Sequence, residues 1–335
     1  MEYLSTPFSK ILIISIIRYF TGKIKCVFPL QSREVYSILN SNLLYKYIMQ
    51  KEYFSIEKSI DLKGEIRVNG AKNAVLKAMA ASLLFDSEVV IKNAPHILDV
   101  KIMADILRDI GCEVEIANNV ITIQPHIKNI ELDRSKVSKI RSSVLLAGPL
   151  LAKAGEVVLP HPGGDAIGKR PIDFFIKGFK ALGAEVIENH DNYHIKSLGG
   201  LKGCEYYFEK ISHTATESLM MTAVLAQGTT VIRNAACEPE VVSLAEFLNA
   251  CGADISGEGT HTITINGVSS LNKGEYVTVP DRLEAGTFAV LGALCSEKLT
   301  ITDCDPTHLR SLWSLFDRIG IDYSYDDSSI TVRKG

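Results

Sequence analysis

Four polar clusters recur where a strand-like run gives way to an apolar, small-residue run: Lys72-Asn73, Arg141-Ser142-Ser143, Lys210-Ile211-Ser212-His213 and Asp281-Arg282. A helix start presents unpaired N–H groups and a partial positive charge. A Lys or Arg beside it adds a full charge and makes a place for a phosphate or carboxylate. Each cluster also has a plain reading. Asn73, Ser142 and Ser212 suit N-cap positions, and Lys210 suits a solvated surface. Recurrence of cations at equivalent points favours the anion reading. A further candidate is Asp165, inside the insertion "HPGGDAIGKRPIDFF" at 161–175. Pro162-Gly163-Gly164 predicts a mobile loop, and Pro171 suits the first turn of the following helix. Asp165 is either a turn residue or a carboxyl that a closing loop carries onto a substrate.

The elements that position these clusters repeat. "LRDIGCEVEI", "FKALGAEVIE", "LNACGADISG" and "FDRIGIDYSY" carry their glycines at Gly111, Gly183, Gly252 and Gly320, spaced 72, 69 and 68 residues apart. Each glycine closes an amphipathic run and precedes an alternating one, the pattern of a helix stopped by a left-handed residue and followed by a strand. Within a unit, a short strand ("EIRV") leads to a small-residue helix ("NAVLKAMAASLLF"), an apolar strand ("EVVIKNA"), a second helix ("DVKIMADILRDIG") and two strands around the turn Asn118-Asn119. That turn suits positive φ in a tight hairpin. The unit is βαβαββ, and the class is α/β. The first helix of each unit is apolar nearly all round and belongs inside, between sheets; the second carries charges on one face and is expected outside. Three such units predict one barrel-like domain around packed helices, and the fourth begins another.

Composition narrows the function classes. The chain has 335 residues, 46% of them hydrophobic and 22% charged, and a formal net charge of −3. This excludes wholesale disorder and a global basic field for nucleic acid. Seven cysteines, at 26, 112, 204, 237, 251, 295 and 304, form no C-x-x-C pair. Several lie in apolar runs, as buried thiols do, so a reducing compartment is expected rather than a disulfide framework. The eight histidines lack zinc-ligand spacing beside cysteines.

Residues 1–48 do not match the rest. They carry six cations against Glu2 and Glu34, a net +4, while the remainder is −7. The apolar run Ile11–Ile17 falls short of the roughly 17–25 residues of a membrane span. Alternation and turn chemistry begin at Met49, so 1–48 is expected to be an appended tail outside the fold.

Four segments bear a resemblance. "NGAKNA" (69–74), "PGGDAIGKRPID" (162–173), "NAACEPEVV" (234–242) and "PDRLEAGTF" (280–288) resemble the UDP-N-acetylglucosamine 1-carboxyvinyltransferase family of enolpyruvyl transferases. The likeness runs from about Met49 to the C-terminus. It implies a pair of inside-out α/β barrels that close on substrate, with 71–279 a complete three-repeat domain and 49–70 plus 280–335 part of the other. It implies a cytoplasmic enzyme of peptidoglycan precursor synthesis that joins phosphoenolpyruvate to the 3′-hydroxyl of UDP-N-acetylglucosamine and releases phosphate, with no metal or organic cofactor. By the same resemblance, Lys72 and Asn73 contact phosphoenolpyruvate, and Arg141 contacts the UDP-sugar. Asp165 is the general acid. Arg170, Pro171, Ile172, Asp173 and Phe174 bind uridine. Lys210, Ile211, Ser212 and His213 lie at the nucleotide diphosphate.

The sequence departs from the family pattern in two places. Many members carry Cys where this chain has Asp165; a carboxylic acid can donate a proton equally well once burial raises its pKa, but it is not alkylated by fosfomycin as that cysteine is. The family also continues beyond the fourth unit with further repeats. These carry a Pro-Thr-Asp motif, whose aspartate is the expected base, and arginines that grip phosphoenolpyruvate. Without them the chain is expected to be inactive alone, with an apolar helix and a sheet edge exposed in the fourth unit. Three readings stay open: a transferase completed by a C-terminal fragment, a non-catalytic UDP-sugar-binding fragment, and a decayed gene product.

Overall fold

The computed structural model describes residues 62–164 and 171–334. The expectations for 1–48, and those for Asp165 and Arg170, lie outside the described residues.

The chain opens with strand β1 (Leu62–Arg67), helix α1 (Lys72–Ala81), β2 (Val89–Lys92), α2 (Leu98–Ile110) and the hairpin β3 (Glu113–Ala117) and β4 (Val120–Gln124). Asn118 and Asn119 turn that hairpin at φ 48° and 61°, as their side chains permit. The second unit has the short α3 (Arg134–Val137), a 3₁₀ turn (Arg141–Leu146), α4 (Ala147–Ala154), β5 (Glu156–Pro160), α5 (Asp173–Ala181), β6 (Glu185–Glu188) and β7 (Asn192–Lys196). The third is β8 (Glu205–Tyr207), α6 (His213–Ala223), β9 (Thr229–Arg233), α7 (Pro239–Ala250), β10 (Asp254–Ser256) and β11 (Thr262–Asn266). The fourth is β12 (Gly274–Val277), α8 (Arg282–Cys295), β13 (Ser296–Thr302), α9 (Arg310–Ile319), β14 (Tyr323–Tyr325) and β15 (Ser329–Val332). The repeat glycines Gly111, Gly183, Gly252 and Gly320 all take positive φ, between 74° and 119°.

Two departures from the repeat have local causes. The first strand of the second unit shrinks to a single bridge between Glu131 and Val158. The bridge is made by the Leu132 N–H and the Ile130 carbonyl on Val158; the next rung would need an N–H from Pro160, which has none, and the chain turns into α3 at Asp133. The buried helix of that unit starts as a 3₁₀ turn, because Pro149 lacks the N–H that would continue an α-helical ladder back to Leu145.

The strands form four sheets, ordered β12-β2-β4-β3, β5-β7-β6, β10-β11-β9-β8 and β1-β13-β15-β14. Units one and four have exchanged their first strands. β1 pairs in parallel with β13, and β12 pairs in parallel with β2. The apolar side chains sort the same way. One cluster runs from Ala71 to Tyr276 and contains α1, α4 and α6; the other joins Ile66 and Val68 to Ala285–Val332.

The helices expected inside are inside. Val75, Ala78, Met79, Ala80 and Ala81 of α1 and Met220 and Met221 of α6 are fully buried. Each such large apolar side chain contributes about 1.5–3 kcal/mol. Gly148 lets α4 touch α6: a Cβ there would lie 2.3 Å from Thr222 Oγ1. The expectation that second helices lie outside fails for α7. Val241, Leu244, Ala245, Phe247 and Leu248 are buried because α7 is wedged between α1 and β12, with Phe247 against Phe85 and Tyr276. In the fourth unit Leu283, Val290 and Leu294 of α8 are exposed, Leu294 at 66%.

Among the described residues the cysteines are unpaired thiols, and burial pushes Cys112, Cys204, Cys251 and Cys304 up from the ordinary thiol range. No described helix is long and apolar enough to cross a membrane.

Candidate functional site

Four helix starts converge. Asp281 caps α8 by accepting the Leu283 and Glu284 N–H groups on Oδ1, at 2.9 and 3.1 Å, while its Oδ2 accepts the Lys72 N–H at 3.2 Å. One carboxylate thus holds the first turns of α1 and α8 together. Its neighbour Arg282 donates through Nε to Glu240, at the start of α7, at 3.1 and 3.3 Å. His213 opens α6 close enough to Arg282 and Lys77 to feel both charges.

Beneath these starts lies a buried ionic cluster. Lys77 Nζ is 3.1 Å from Glu217 Oε2, with both side chains buried. The other carboxylate oxygen, Oε1, is 3.4 Å from His213 Nε2. Neither Glu217 oxygen nor His213 Nε2 has a well-aligned hydrogen bond among the described residues, so the contact with Lys77 is an ion pair rather than a directed bond. Burial pushes the Glu217 carboxyl up to about 7; Lys77 opposes this, and Glu240 and Glu238 add to it. Burial, then Lys77 and Arg282, push the His213 imidazole down to about 3. A neutral histidine therefore sits between two cations.

The remaining candidates are placed by other contacts. Arg141 opens the 3₁₀ turn and donates to the Pro162 carbonyl at 3.5 Å and the Pro171 carbonyl at 3.3 Å, so it grips both flanks of the insertion. Pro171 and Asp173 are exposed, Ile172 is buried and Phe174 is half-buried at the start of α5. Phe174 meets Phe208 edge to face, 6.3 Å between centroids, and Lys177 pairs with Glu209. These contacts bring α5 to the segment that holds Lys210, Ile211 and Ser212. Lys210 and Ile211 are exposed.

The cap reading of the clusters divides. Ser212 Oγ accepts the Ala215 N–H at 3.4 Å and is a cap. Asn73 lies inside the first turn of α1, whose N-cap is Ala71, and Ser142 Oγ is buried without a hydrogen bond among the described residues. The anion reading also meets a complication. Lys72 Nζ is 2.6 Å from Asp99 Oδ2, Arg282 is held by Glu240 and Arg141 by carbonyls. The cations are there, but an anion must compete for them.

Asp99, Glu217 and Glu240 escaped the sequence reading. The available signal was one of charge in apolar surroundings: Lys77 and Glu217 each interrupt a helix otherwise buried all round, and such charges need partners. A separate cleft lined by Asp109, Asp133, Arg134 and Asp191 lies away from these residues; its charges are satisfied in the pairs Lys136–Asp109 and Arg134–Asp191.

Sheets flanking buried helices, with four helix starts gathered beside Lys72, Lys77 and Arg282, define a mixed α/β fold. The family model for EPSP synthase (3-phosphoshikimate 1-carboxyvinyltransferase) matches residues 56–335. UDP-N-acetylglucosamine 1-carboxyvinyltransferase 1 of Caldanaerobacter subterraneus subsp. tengcongensis is 41% identical over 283 residues, 84% of this chain and 68% of the relative. The UDP-N-acetylglucosamine 1-carboxyvinyltransferase of Solibacter usitatus is 42% identical over 281 residues, 84% of this chain and 67% of the relative. Among solved structures, the enolpyruvyl transferase NikO from Streptomyces tendae superposes with a TM-score of 0.74 at 21% identity, covering 84% of this chain and 67% of that one. EPSP synthase from Acinetobacter baumannii gives 0.66 at 18% identity, covering 83% and 66%. The chain belongs to the enolpyruvyl transferase family, on the branch of the UDP-N-acetylglucosamine 1-carboxyvinyltransferases. It spans about two thirds of the length of the relatives it matches.

Proposed function

We propose that this chain serves the transfer of an enolpyruvyl group from phosphoenolpyruvate to the 3′-hydroxyl of UDP-N-acetylglucosamine, in the cytoplasmic synthesis of a peptidoglycan precursor. The observation that carries the reading is the convergence of the starts of α1, α6, α7 and α8 on Lys72, His213 and Arg282, in a chain 41% identical to a relative named for that activity. The two apolar clusters are read as two domains, 71–279 complete and 280–335 with 49–70 partial, each an inside-out barrel of repeats.

In this reading Lys72 and Asn73 hold phosphoenolpyruvate, with Lys72 exchanging Asp99 for the ligand's phosphate. Arg141 orients the insertion. Pro171–Phe174 with Arg170 receive uridine, and Lys210–His213 line the nucleotide. Asp165 protonates the enolpyruvyl methylene as the sugar oxygen bonds to the adjacent carbon; loss of a methyl proton then expels phosphate. The base, and further cations for phosphoenolpyruvate, come from the remaining third of the relatives' length, as a continuation or as a complementing C-terminal fragment.

A phosphate-release assay with both substrates, run with and without that fragment, tests the reading together with calorimetry on UDP-N-acetylglucosamine. Binding with turnover only in the presence of the fragment supports it. Binding without turnover in either arm favours a UDP-sugar-binding module, a reading that the separate, well-buried first cluster supports. Failure to bind the nucleotide sinks both.

A further inference from the structure

The cluster under the helix starts assigns His213 a definite hydrogen-bonding character. We propose that Glu217 is a positioning residue that fixes the His213 tautomer with its proton on Nε2, leaving Nδ1 as an acceptor for a hydroxyl or amide N–H of the ligand rather than a cation for its diphosphate. The proposal rests on the functional reading above for the identity of the ligand, and on geometry for the tautomer.

The geometry comes from one atom. His213 Nε2 is fully buried, and the polar atom beside it is Glu217 Oε1, one helical turn along, at 3.4 Å. A ring nitrogen lone pair turned toward a carboxylate oxygen would be repulsive, whereas an N–H in the same place is attractive. The carboxylate is anchored on its other side by Lys77 Nζ at 3.1 Å, from α1. The imidazole side chain is 21% exposed, and that exposed surface excludes Nε2. Among the described residues Nδ1 makes no hydrogen bond.

Burial, and then the surrounding charges, keep the ring neutral. Lys77 and Arg282 face His213, and Lys77, Glu240 and Glu238 face Glu217. Tyr276, near Glu217 and Glu240, keeps its phenol protonated and bonded to Ser243. A third cation between Lys77 and Arg282 would be repelled. A neutral imidazole offers a diphosphate little, since phosphate oxygens carry no proton to donate at neutral pH. It suits a sugar or ribose hydroxyl, or the acetamido N–H.

Long-range ¹H–¹⁵N spectra of the full chain at pH 8 read the tautomer directly. The expected His213 pattern is a protonated Nε2 and an unprotonated Nδ1. An imidazolium pattern, or a proton on Nδ1, overturns the proposal, and this readout needs no substitution. In Glu217→Gln, Lys77 attracts the new amide oxygen and turns the NH₂ toward Nε2, so the tautomer should switch to Nδ1–H. An unchanged tautomer would reduce Glu217 to a structural role. UDP-N-acetylglucosamine should move the Nδ1 resonance upfield, inorganic pyrophosphate should leave it in place, and E217Q should bind the nucleotide sugar about fivefold to tenfold more weakly, the worth of one neutral hydrogen bond. Calorimetric binding with Nδ1 unmoved overturns the ligand half of this inference and leaves the proposed function standing. No calorimetric binding overturns the proposed function and the ligand half together, while the tautomer is decided by the ligand-free spectrum.

Discussion

Lys72 Nζ lies 2.6 Å from Asp99 Oδ2, so a cation at the start of α1 is already engaged by a carboxylate from the start of α2. Both side chains are about a quarter exposed. An incoming phosphate must displace Asp99. Replacing Asp99 by Asn should tighten phosphoenolpyruvate binding several-fold, measured by calorimetry in the presence of UDP-N-acetylglucosamine. The loss in stability should stay within about 1 kcal/mol, as for other part-exposed pairs. Weaker binding in D99N would mean that the pair aligns Lys72 for the ligand rather than competing with it.

Arg141 should be intolerant of its nearest chemical substitute. Its guanidinium reaches carbonyls on both flanks of the insertion at once, and a lysine ammonium lacks that fork. Arg141→Lys is expected to leave the melting temperature within a few degrees of wild type, to weaken UDP-N-acetylglucosamine binding at least tenfold, and to speed trypsin cleavage after Lys169. Unchanged cleavage would remove Arg141 from any role in holding the insertion.

The pair His213 and Glu217 predicts an unusual stability profile. His213 drops from 6.5 to about 3 on folding, so below 6.5 the unfolded chain binds the extra proton, and stability falls as pH drops toward 3. Glu217 rises from 4.5 to about 7, so its contribution is complete below 4.5 and is lost as pH rises through 7. Between 4.5 and 6.5 the two slopes oppose, and these two groups together should contribute a plateau. Denaturant titrations across pH check this. Glu217→Gln should convert the plateau into a continuous rise to 6.5, and His213→Gln into a fall from 4.5 to 7. The same plateau in both variants would refute the assignment.

Asp165 leads to a pharmacological prediction. A carboxyl in place of the family's thiol offers fosfomycin no sulfur nucleophile, so intact-mass analysis after incubation should find the chain unmodified. An adduct mapped to Asp165 would contradict this. Asp165→Cys should restore covalent modification.

Much of the fold could be read in the sequence because its signals are local. The repeat glycines needed only positive φ, and all four have it; Asn118-Asn119 needed only a tight turn. The apolar helices α1 and α6 had to be buried because no polar stripe was available to face water. What escaped depended on partners distant in sequence. The burial of α7 follows from β12, which arrives from the fourth unit. The part Asp281 plays in joining α1 to α8 spans 209 positions. The candidate residues were legible as types at helix starts, but their existing partners Asp99, Glu240 and Glu217 were not, because nothing in linear order links a cation to the carboxylate that will meet it.

The strand exchange has a mechanical consequence. Because β1 belongs to the sheet of unit four and β12 to that of unit one, the chain passes twice between the two apolar bodies, side by side at Gly70 and Pro280. Two tethers running abreast yield to bending across their common line and resist twisting about it. Lys72 and Arg282 follow these two crossings directly, as the first residues of α1 and α8, so any strain at the crossings is passed to both cations.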